Sequence, residues 1–225
     1  MPAKIIISYD GTANEDDAVV LGARLAAAGA EVSLAYVRHT EDSVGDTQGI
    51  LSRGLELLGD PGAATHIVTD RSTPEGLAAL AAREQADAIV FCSDSHTAKG
   101  HVSIGNSAQR LLEGGRTAVA IAPVDFAEKS PQVRRVVAVG DGDGGARETA
   151  ASLAGALGAE VVPVAGEDTD LLVLDSRADA QPGRVSLSSS AEHLIEISRC
   201  AVLVLPRDAR PAFGGAPSHQ TAPAA

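Results

Sequence analysis

One tract of the sequence occurs twice, and this repetition limits the folds that the chain can adopt. Residues 5–11 align with residues 136–142, and each tract leads through a helix-like stretch to Gly-Ala-Glu-Val, at 29–32 and at 158–161. Later tracts of the two copies align at an offset of 83 positions, compared with 129 for the Gly-Ala-Glu-Val tracts, so the second copy lacks about 46 residues. Two long copies predict a duplicated domain, because a solenoid requires several short repeats.

Charge and composition argue against nucleic acid as a partner. The chain has a formal net charge of -12, and only 2% of its 225 residues are aromatic. Duplexes repel acidic proteins, and single strands need aromatic side chains for stacking, so we expect neither to bind. The hydrophobic residues, 44% of the chain, suffice for a sizeable core.

The sequence also predicts where the protein is located, the state of its two cysteines and whether it binds a metal ion. It shows no signal peptide and no apolar run of the roughly 20 residues that a membrane-spanning helix needs, so we expect a cytoplasmic protein without a membrane partner. Cys92 and Cys200 lie beside apolar strand-like runs, and we expect both to be buried and reduced. Asp94, His96 and His101 crowd one loop. They could ligate a metal, but two histidines five apart on a loop are usually solvated, and we predict no metal site.

Short β-branched runs alternate with helix-like stretches along the chain. The predicted strands are 4–8, 31–37, 65–68, 88–92 and 117–122 in the first copy and 134–139, 160–164, 171–174 and 201–205 in the second. The predicted helices are one from Asn14 to Gly29, then 42–58, 73–84, one beginning near 106, 145–157 and 190–198. Such alternation predicts right-handed crossovers and a doubly wound, parallel α/β sheet.

Matching the copies divides the chain into two units. Residues 1–123 are predicted to form a complete five-stranded domain, 124–133 a linker, and 134–206 a truncated domain without the second helix, third strand and third helix. Residues 207–225 are rich in Pro, Ala, Gly and Ser and have no apolar periodicity, so we expect them to be disordered.

These tracts resemble those of the universal stress protein family. The resemblance rests on Ile-Ser-Tyr-Asp-Gly at 7–11, on the Ala-rich helix into Gly-Ala-Glu-Val, and on Asp-Ala-Ile-Val at 87–90 followed by Gly-Asn-Ser-Ala at 105–108. Order and spacing agree in both copies, apart from the deletion. The resemblance implies an adenine-nucleotide α-hydrolase-like fold. It also implies that the fifth strands of the units pair across a pseudo-twofold axis within the chain.

That family includes members that bind ATP through a Gly-x2-Gly-x9-Gly-Ser/Thr segment after the fourth strand. Glycines let backbone amides approach ribose and phosphates, and the segment ends at a helix N-terminus, which favours anions. The matching positions of the first copy are Cys92, Ser95, Gly105 and Asn106. Those of the second copy are Asp175, Ala178, Ser188 and Ser189. One glycine of three remains in the first copy and none in the second, where Asp175 places a carboxylate on the expected path of an anionic ligand.

Other positions also match the family's nucleotide site. Asp10 matches an acidic residue that accepts hydrogen bonds from ribose hydroxyls, and Val37 matches a position that lines the adenine pocket through its backbone. Gly105, Asn106 and Ser107 form the best phosphate cradle. Structural alternatives stay open: an Asp-Gly turn for Asp10, core packing for Val37 and a helix cap for Asn106.

The resemblance implies two functions. The loss of glycines favours a non-catalytic stress-response or regulatory protein that acts through contacts with an unidentified protein partner, without a cofactor. The alternative is an adenine-nucleotide binder that holds ATP with Mg in its first domain and hydrolyses it slowly. Fold-level analogy alone does not decide between them.

Overall fold

A computed structural model describes residues 1–39, 46–129, 132–140 and 144–214, and its strands form one nine-stranded sheet. The strands are β1 Lys4–Ser8, β2 Glu31–Arg38, β3 Ala64–Thr69, β4 Ala88–Cys92, β5 Ala118–Ala122, β6 Arg135–Val139, β7 Glu160–Val162, β8 Leu171–Leu174 and β9 Ala201–Val204. The helices are α1 Glu15–Ala27, α2 Thr47–Leu58, α3 Thr73–Glu84, α4 Asn106–Leu112, α5 Phe126–Lys129, α6 Gly145–Leu157 and α7 Ser189–Ile197.

The predicted α/β alternation is confirmed, with differences at some ends of elements. Helix α2 begins at Thr47, and residues 42–45 of its predicted range lie outside the described residues. Strand β7 ends at Val162 instead of 164, and the Val164 side chain is exposed. β7 pairs only with β6, because no further described strand covers its outer edge.

The order of strands in the sheet is β3-β2-β1-β4-β5-β9-β8-β6-β7. We call β1 to β5 with their helices the first unit and β6 to β9 with theirs the second unit. Neighbouring strands are parallel within each unit, whereas β5 and β9 pair antiparallel, with Val119 opposite Val204 and Ile121 opposite Val202. The predicted pairing of the fifth strands is therefore present, and it joins the two units. Domain boundaries at 123 and 134 stay a prediction.

Helices cover both faces of the sheet. Along β1, Ile5 and Ile7 belong to a buried cluster with residues of α1, α2 and α6, whereas Ile6 belongs to a cluster with residues of α3, α4 and α7. This alternation follows from the period of two in a strand, and burial on both faces explains why the strands are nearly all apolar. Each face carries helices of both units. Within the described part of the chain, no helix combines the length and the apolar character that crossing a membrane demands.

The predicted linker contains α5, which is fixed to α1. Phe126 is buried, and the Asp17 carboxylate accepts hydrogen bonds from the backbone N of Asp125 at 3.0 Å and of Ala127 at 2.7 Å. Residues 130–131 of the predicted linker lie outside the described residues.

The expectation of a disordered tail is wrong for residues 208–214. The carbonyl of Ala212 accepts from Ala3 N at 3.2 Å, and Gly214 N donates to the carbonyl of Ala28 at 2.7 Å. Phe213 packs against the core that contains α1 and α6. These partners lie far away in the sequence, so local composition could not reveal them. Residues 215–225 lie outside the described residues.

Candidate functional site

A cleft of about 380 Å³ opens at the carboxyl ends of β1, β2 and β4. In the first unit β2 lies on one side of β1 and β4 on the other, so the sheet reverses its winding direction at this point. Doubly wound sheets bind ligands at such switch points, outside the carboxyl ends of their strands. We therefore take the cleft as the candidate functional site.

Six of the seven predicted site residues line this cleft: Asp10, Val37, Cys92, Ser95, Gly105 and Ser107. Asn106 is exposed and does not line it. The alternative that Asn106 caps a helix is wrong, because Gly105 occupies the N-cap position of α4 and accepts a hydrogen bond from Gln109 N at 2.9 Å. The fold thus assembles residues from distant tracts, while their role in binding stays a prediction.

Sequence reasoning missed Glu15, which lines the cleft beside Asp10. The backbone N of Asp10 donates a hydrogen bond to Glu15 Oε2. Burial raises the pKa of Glu15 to about 9, and the hydrogen bond with Asp10 adds to this rise. Burial also raises the pKa of Asp10, but hydrogen bonds from Glu15 and Thr12 outweigh it and leave that pKa below its ordinary value. At neutral pH Glu15 is therefore protonated and Asp10 is ionised.

The sequence contains an acidic residue at position 15, but its place at the start of a helix has a second explanation. Acidic residues in the first turn of a helix complement its dipole, and Glu15, Asp16 and Asp17 all fit that explanation. Only the contact with Asp10, which is five residues away on the strand end, distinguishes Glu15 from its neighbours.

The Cys92 thiol is held against the start of α1. Asn14 Nδ2 lies 3.1 Å from Cys92 Sγ and donates to the Ser93 carbonyl at 3.4 Å. Burial raises the pKa of Cys92 to about 12, and the nearby Glu15 contributes to this rise. Both cysteines are free, as predicted, and Cys200 is buried, whereas Cys92 is only partly buried. Cys92 is thus a neutral thiol on the cleft wall.

Arg53 does not line the cleft, and its guanidinium forms hydrogen bonds with other groups of the chain. It donates to the Tyr9 hydroxyl at 3.0 Å, to the Gly11 carbonyl at 3.1 Å and to Asp16 Oδ2 at 2.5 Å. Burial and the nearby Asp16 raise the pKa of Tyr9 to about 12, so this hydroxyl stays neutral. Among the described residues that line the cleft, there is no lysine or arginine. His39 is the one basic side chain among those described residues, and a phosphate bound among them would meet no lysine or arginine.

The loop that follows β4 is fixed by Ser93. Ser93 Oγ donates to the Ala122 carbonyl at 2.7 Å and accepts from Ser103 N at 3.1 Å. Asp94 N donates to Ser103 Oγ at 3.0 Å. These bonds set the position of Ser95, which is exposed at the cleft.

The corresponding edge of the second unit is filled by Asp175. Its Oδ1 accepts a hydrogen bond from Ala146 N, the second residue of α6, at 2.6 Å. The cavity there measures about 250 Å³, and Asp175 lines it. As predicted, a carboxylate stands where the first unit has Cys92. Part of the predicted repeat, residues 141–143, lies outside the described residues.

Groups of three or more histidine, cysteine, aspartate or glutamate side chains that could hold a metal ion are absent from the described part of the chain. The described residues that line the cleft offer hydrogen-bond donors and acceptors and include three acidic side chains, Asp10, Glu15 and Asp94.

Comparison with solved structures identifies the fold. A universal stress protein from Archaeoglobus fulgidus DSM 4304 superposes with a TM-score of 0.63 at 14% sequence identity, covering 91% of this chain and 98% of that protein. A functionally unknown protein from Pseudomonas aeruginosa PAO1 superposes with a TM-score of 0.65 at 15% identity, covering 92% and 94%. No protein-family model matches the sequence, and no curated protein matches it. The chain has the fold of a universal stress protein, and the resemblance inferred from the sequence is confirmed for the fold.

Proposed function

We propose that this chain is a non-catalytic regulatory protein, built from a complete and a shortened universal-stress-protein-like unit, that acts in the cytoplasm through contacts with protein partners. The observation that carries the proposal is the pair of Asp10 and Glu15 in the cleft of the first unit. A triphosphate bound there would meet a negative charge without a lysine or arginine among the described lining residues. Like charges at close range repel, most strongly where water is excluded.

The shape of the cleft wall supports the same conclusion. Cys92 and Ser95 stand where the ATP-binding segment of the family has glycines, and their side chains occupy space that glycine leaves open. The thiolate is the nucleophilic form of cysteine, and the pKa of Cys92, near 12, keeps the thiol protonated. Cys92 is therefore suited to packing and not to covalent catalysis.

A second candidate function is binding of an adenine nucleoside or nucleotide by the first unit. It is favoured by the convergence of six predicted residues on one cleft at the switch point of the sheet. A Cβ atom built on Gly105 would meet no heavy atom within 4 Å, so the backbone is open to a ligand there. Asp10 suits the hydroxyl donors of ribose. These residues fit the nucleoside better than Mg-ATP, whose phosphates the Asp10 carboxylate repels.

Calorimetric titration of the full chain with Mg-ATP and with adenosine tests the proposal. We expect the native protein to show no tight binding of ATP. Replacing Cys92 and Ser95 together by glycine should raise the affinity, because relief of overpacking of about 1 to 3 kcal/mol corresponds to roughly five- to 150-fold. Asp10→Asn is the matched control, since it removes charge from the cleft but leaves its volume nearly unchanged.

The outcomes separate the two functions. Micromolar or tighter ATP binding by the native chain would overturn the non-nucleotide proposal in favour of the second candidate. A gain for Asp10→Asn without a gain for the double glycine variant would identify charge, and not space, as the cause of exclusion. If the native chain binds neither ATP nor adenosine and neither variant gains affinity, the second candidate fails and the non-nucleotide proposal stands.

A further inference from the structure

A groove runs along the seam between the two units, on the face that carries α4 and α7. It consists of two adjoining cavities of about 640 Å³ and about 480 Å³. Four residues line both cavities: Leu112, Glu113, Leu187 and Glu192. Leu112 and Glu113 come from the first unit, and Leu187 and Glu192 come from the second, so the groove exists only while the units are paired.

Hydrogen bonds between the units fix the walls of the groove. Val102 N donates to the Ser198 carbonyl at 3.1 Å. Val185 exchanges backbone bonds with two glycines, since Gly114 N donates to its carbonyl at 3.1 Å and its own N donates to the Gly115 carbonyl at 2.8 Å. These bonds do not depend on side-chain rotamers. The walls of the groove are therefore joined by the backbone, and a surface that exists before binding lowers the entropic cost of binding.

The floor of the groove is apolar. Val102, Leu112 and Val185 are buried, while Ile104 and Leu187 are partly exposed. Partly exposed aliphatic side chains in a concave surface gain free energy when a partner covers them. The floor favours an occupant with an apolar face.

The rim of the groove is acidic. Glu113, Glu192 and Glu196 line it and are exposed. The only arginine or lysine among its described lining residues is Arg184, whose Nη1 donates to the Gly114 carbonyl at 2.7 Å and is directed back into the protein. The groove therefore presents negative charge above an apolar floor, in a chain whose net charge is -12.

We propose that this groove, here termed the seam groove, binds a basic amphipathic segment of a partner protein. The apolar side chains of that segment would cover Ile104 and Leu187, and its lysines or arginines would face the three glutamates. Charge complementarity of this kind steers association and selects partners. It argues against a second copy of this acidic chain as the occupant. The inference rests on the proposed function, because it names the surface through which protein contacts are made.

Fluorescence anisotropy of the full chain with labelled synthetic peptides tests the inference. The probe is a 14-residue amphipathic peptide of leucine and lysine, and its control has glutamate at every lysine position. We expect the lysine peptide to bind and the glutamate peptide not to bind. Reversing the rim with Glu113→Lys, Glu192→Lys and Glu196→Lys should weaken binding at least about tenfold, because attraction becomes repulsion at three positions. Leu187→Ala should weaken it about threefold through lost apolar contact.

A charge-matched control variant distinguishes the seam groove from general attraction to an acidic protein. Glu31, Glu56 and Glu75 are exposed and line neither cavity of the groove, and their replacement by lysine should change affinity less than about twofold. An equal loss in this control, binding of the glutamate peptide or no binding of the lysine peptide would overturn the proposal. If the variant with all three rim glutamates replaced does not fold, the Leu187→Ala variant tests the proposal instead. Unchanged affinity of this variant for the lysine peptide then overturns the proposal. ATP binding in the first unit would refute the proposed function without affecting this result.

Discussion

The two units share their strand framework but differ at the start of the first helix of each unit. In the first unit Glu15, from α1, accepts a hydrogen bond from Asp10 N at the end of β1. In the second unit Ala146 stands at the position of Glu15, and Asp175, from the end of β8, accepts from the Ala146 amide. A carboxyl group of the chain itself thus accepts a hydrogen bond from a backbone N at this edge in both units. Asp10 N in the first unit and Ala146 N in the second are therefore not available to an external anion.

Other features are retained in both units down to individual hydrogen bonds. Ser93 Oγ donates to the Ala122 carbonyl, and Ser176 Oγ donates to the Leu205 carbonyl, both at 2.7 Å. Both hydroxyls also accept a backbone N at 3.1 Å. Positions that hold the sheet together are therefore retained, whereas positions that face the cleft have diverged. This contrast supports retention of the fold for pairing of the units and not for a common ligand.

The two units should differ most in folding stability when each is expressed without the other. Residues 134–206 expressed alone should fail to unfold cooperatively as a monomer, because β9 loses its partner β5 and β7 already has an open edge. Residues 1–129 retain five strands with their helices and should fold, with β5 available for dimerisation. Urea unfolding with sedimentation analysis of both fragments checks this. A monomeric, cooperative transition of the second fragment would contradict the dependence of the second unit on the first.

The next prediction concerns the pH dependence of the free energy of unfolding, which Glu15 of the first unit should determine. Its pKa is about 9 in the folded chain, compared with the ordinary value of 4.5, so between these pH values the folded state holds one proton more than the unfolded state. The free energy of unfolding should therefore fall as the pH rises from about 5 to 9. Glu15→Gln cannot titrate but can still donate a hydrogen bond to Asp10, so this slope should flatten.

The measurement is the urea midpoint at several pH values for the native chain and for Glu15→Gln. Glu31→Gln, at an exposed position, serves as the control and should leave the slope unchanged. If the slopes of the native chain and of Glu15→Gln are the same, the raised pKa of Glu15 is refuted.

A smaller difference is expected between Asp17 and Glu148, which occupy matching positions of α1 and α6. Asp17 is buried and accepts two backbone N–H groups of the linker, so Asp17→Ala should cost about 1.5 to 3 kcal/mol or more. Glu148 is exposed and pairs with Arg210 at 3.1 Å, so Glu148→Ala should cost about 0 to 1 kcal/mol. Chemical denaturation of both variants tests the contrast. Equal costs would show that the buried carboxylate does not fix the linker.

The sequence predicted the framework well for a physical reason. Strands and helices are encoded by local periodicity. Because the pattern occurs in two copies, the second copy tests the order of strands and helices that the first copy predicts. The start of α3 at Thr73 and the end of α6 at Leu157 agree with the prediction, because Thr73-Pro74 and Gly158 are local helix signals.

The misses involve contacts that no local pattern encodes. Glu15 gained its role from Asp10 through folding, and the ordering of Phe213 depends on distant residues such as Ala28 and Ser152. The chain contains only three phenylalanines, so a phenylalanine within a Pro- and Ala-rich tail was a signal that it packs somewhere. The cap of α4 was displaced by one residue, because Gly105 and Asn106 both occur as helix caps.

The last prediction is that Ser93 and Ser176 are equivalent. Each serine-to-alanine change removes a buried hydrogen bond to a carbonyl and leaves a partly buried backbone N–H without its acceptor. Each should cost about 1 to 3 kcal/mol, and the two costs should agree within about 0.5 kcal/mol. The double variant should show their sum, since the two hydroxyls share no hydrogen-bond partner. Ser95→Ala, at an exposed position in the same loop as Ser93, is the matched control and should change stability by less than about 0.5 kcal/mol. Urea unfolding of the four variants measures these values. A cost at Ser93 that exceeds the cost at Ser176 by more than about 1.4 kcal/mol, a tenfold change in the unfolding constant, would show that the duplicated framework is no longer equivalent in the two units.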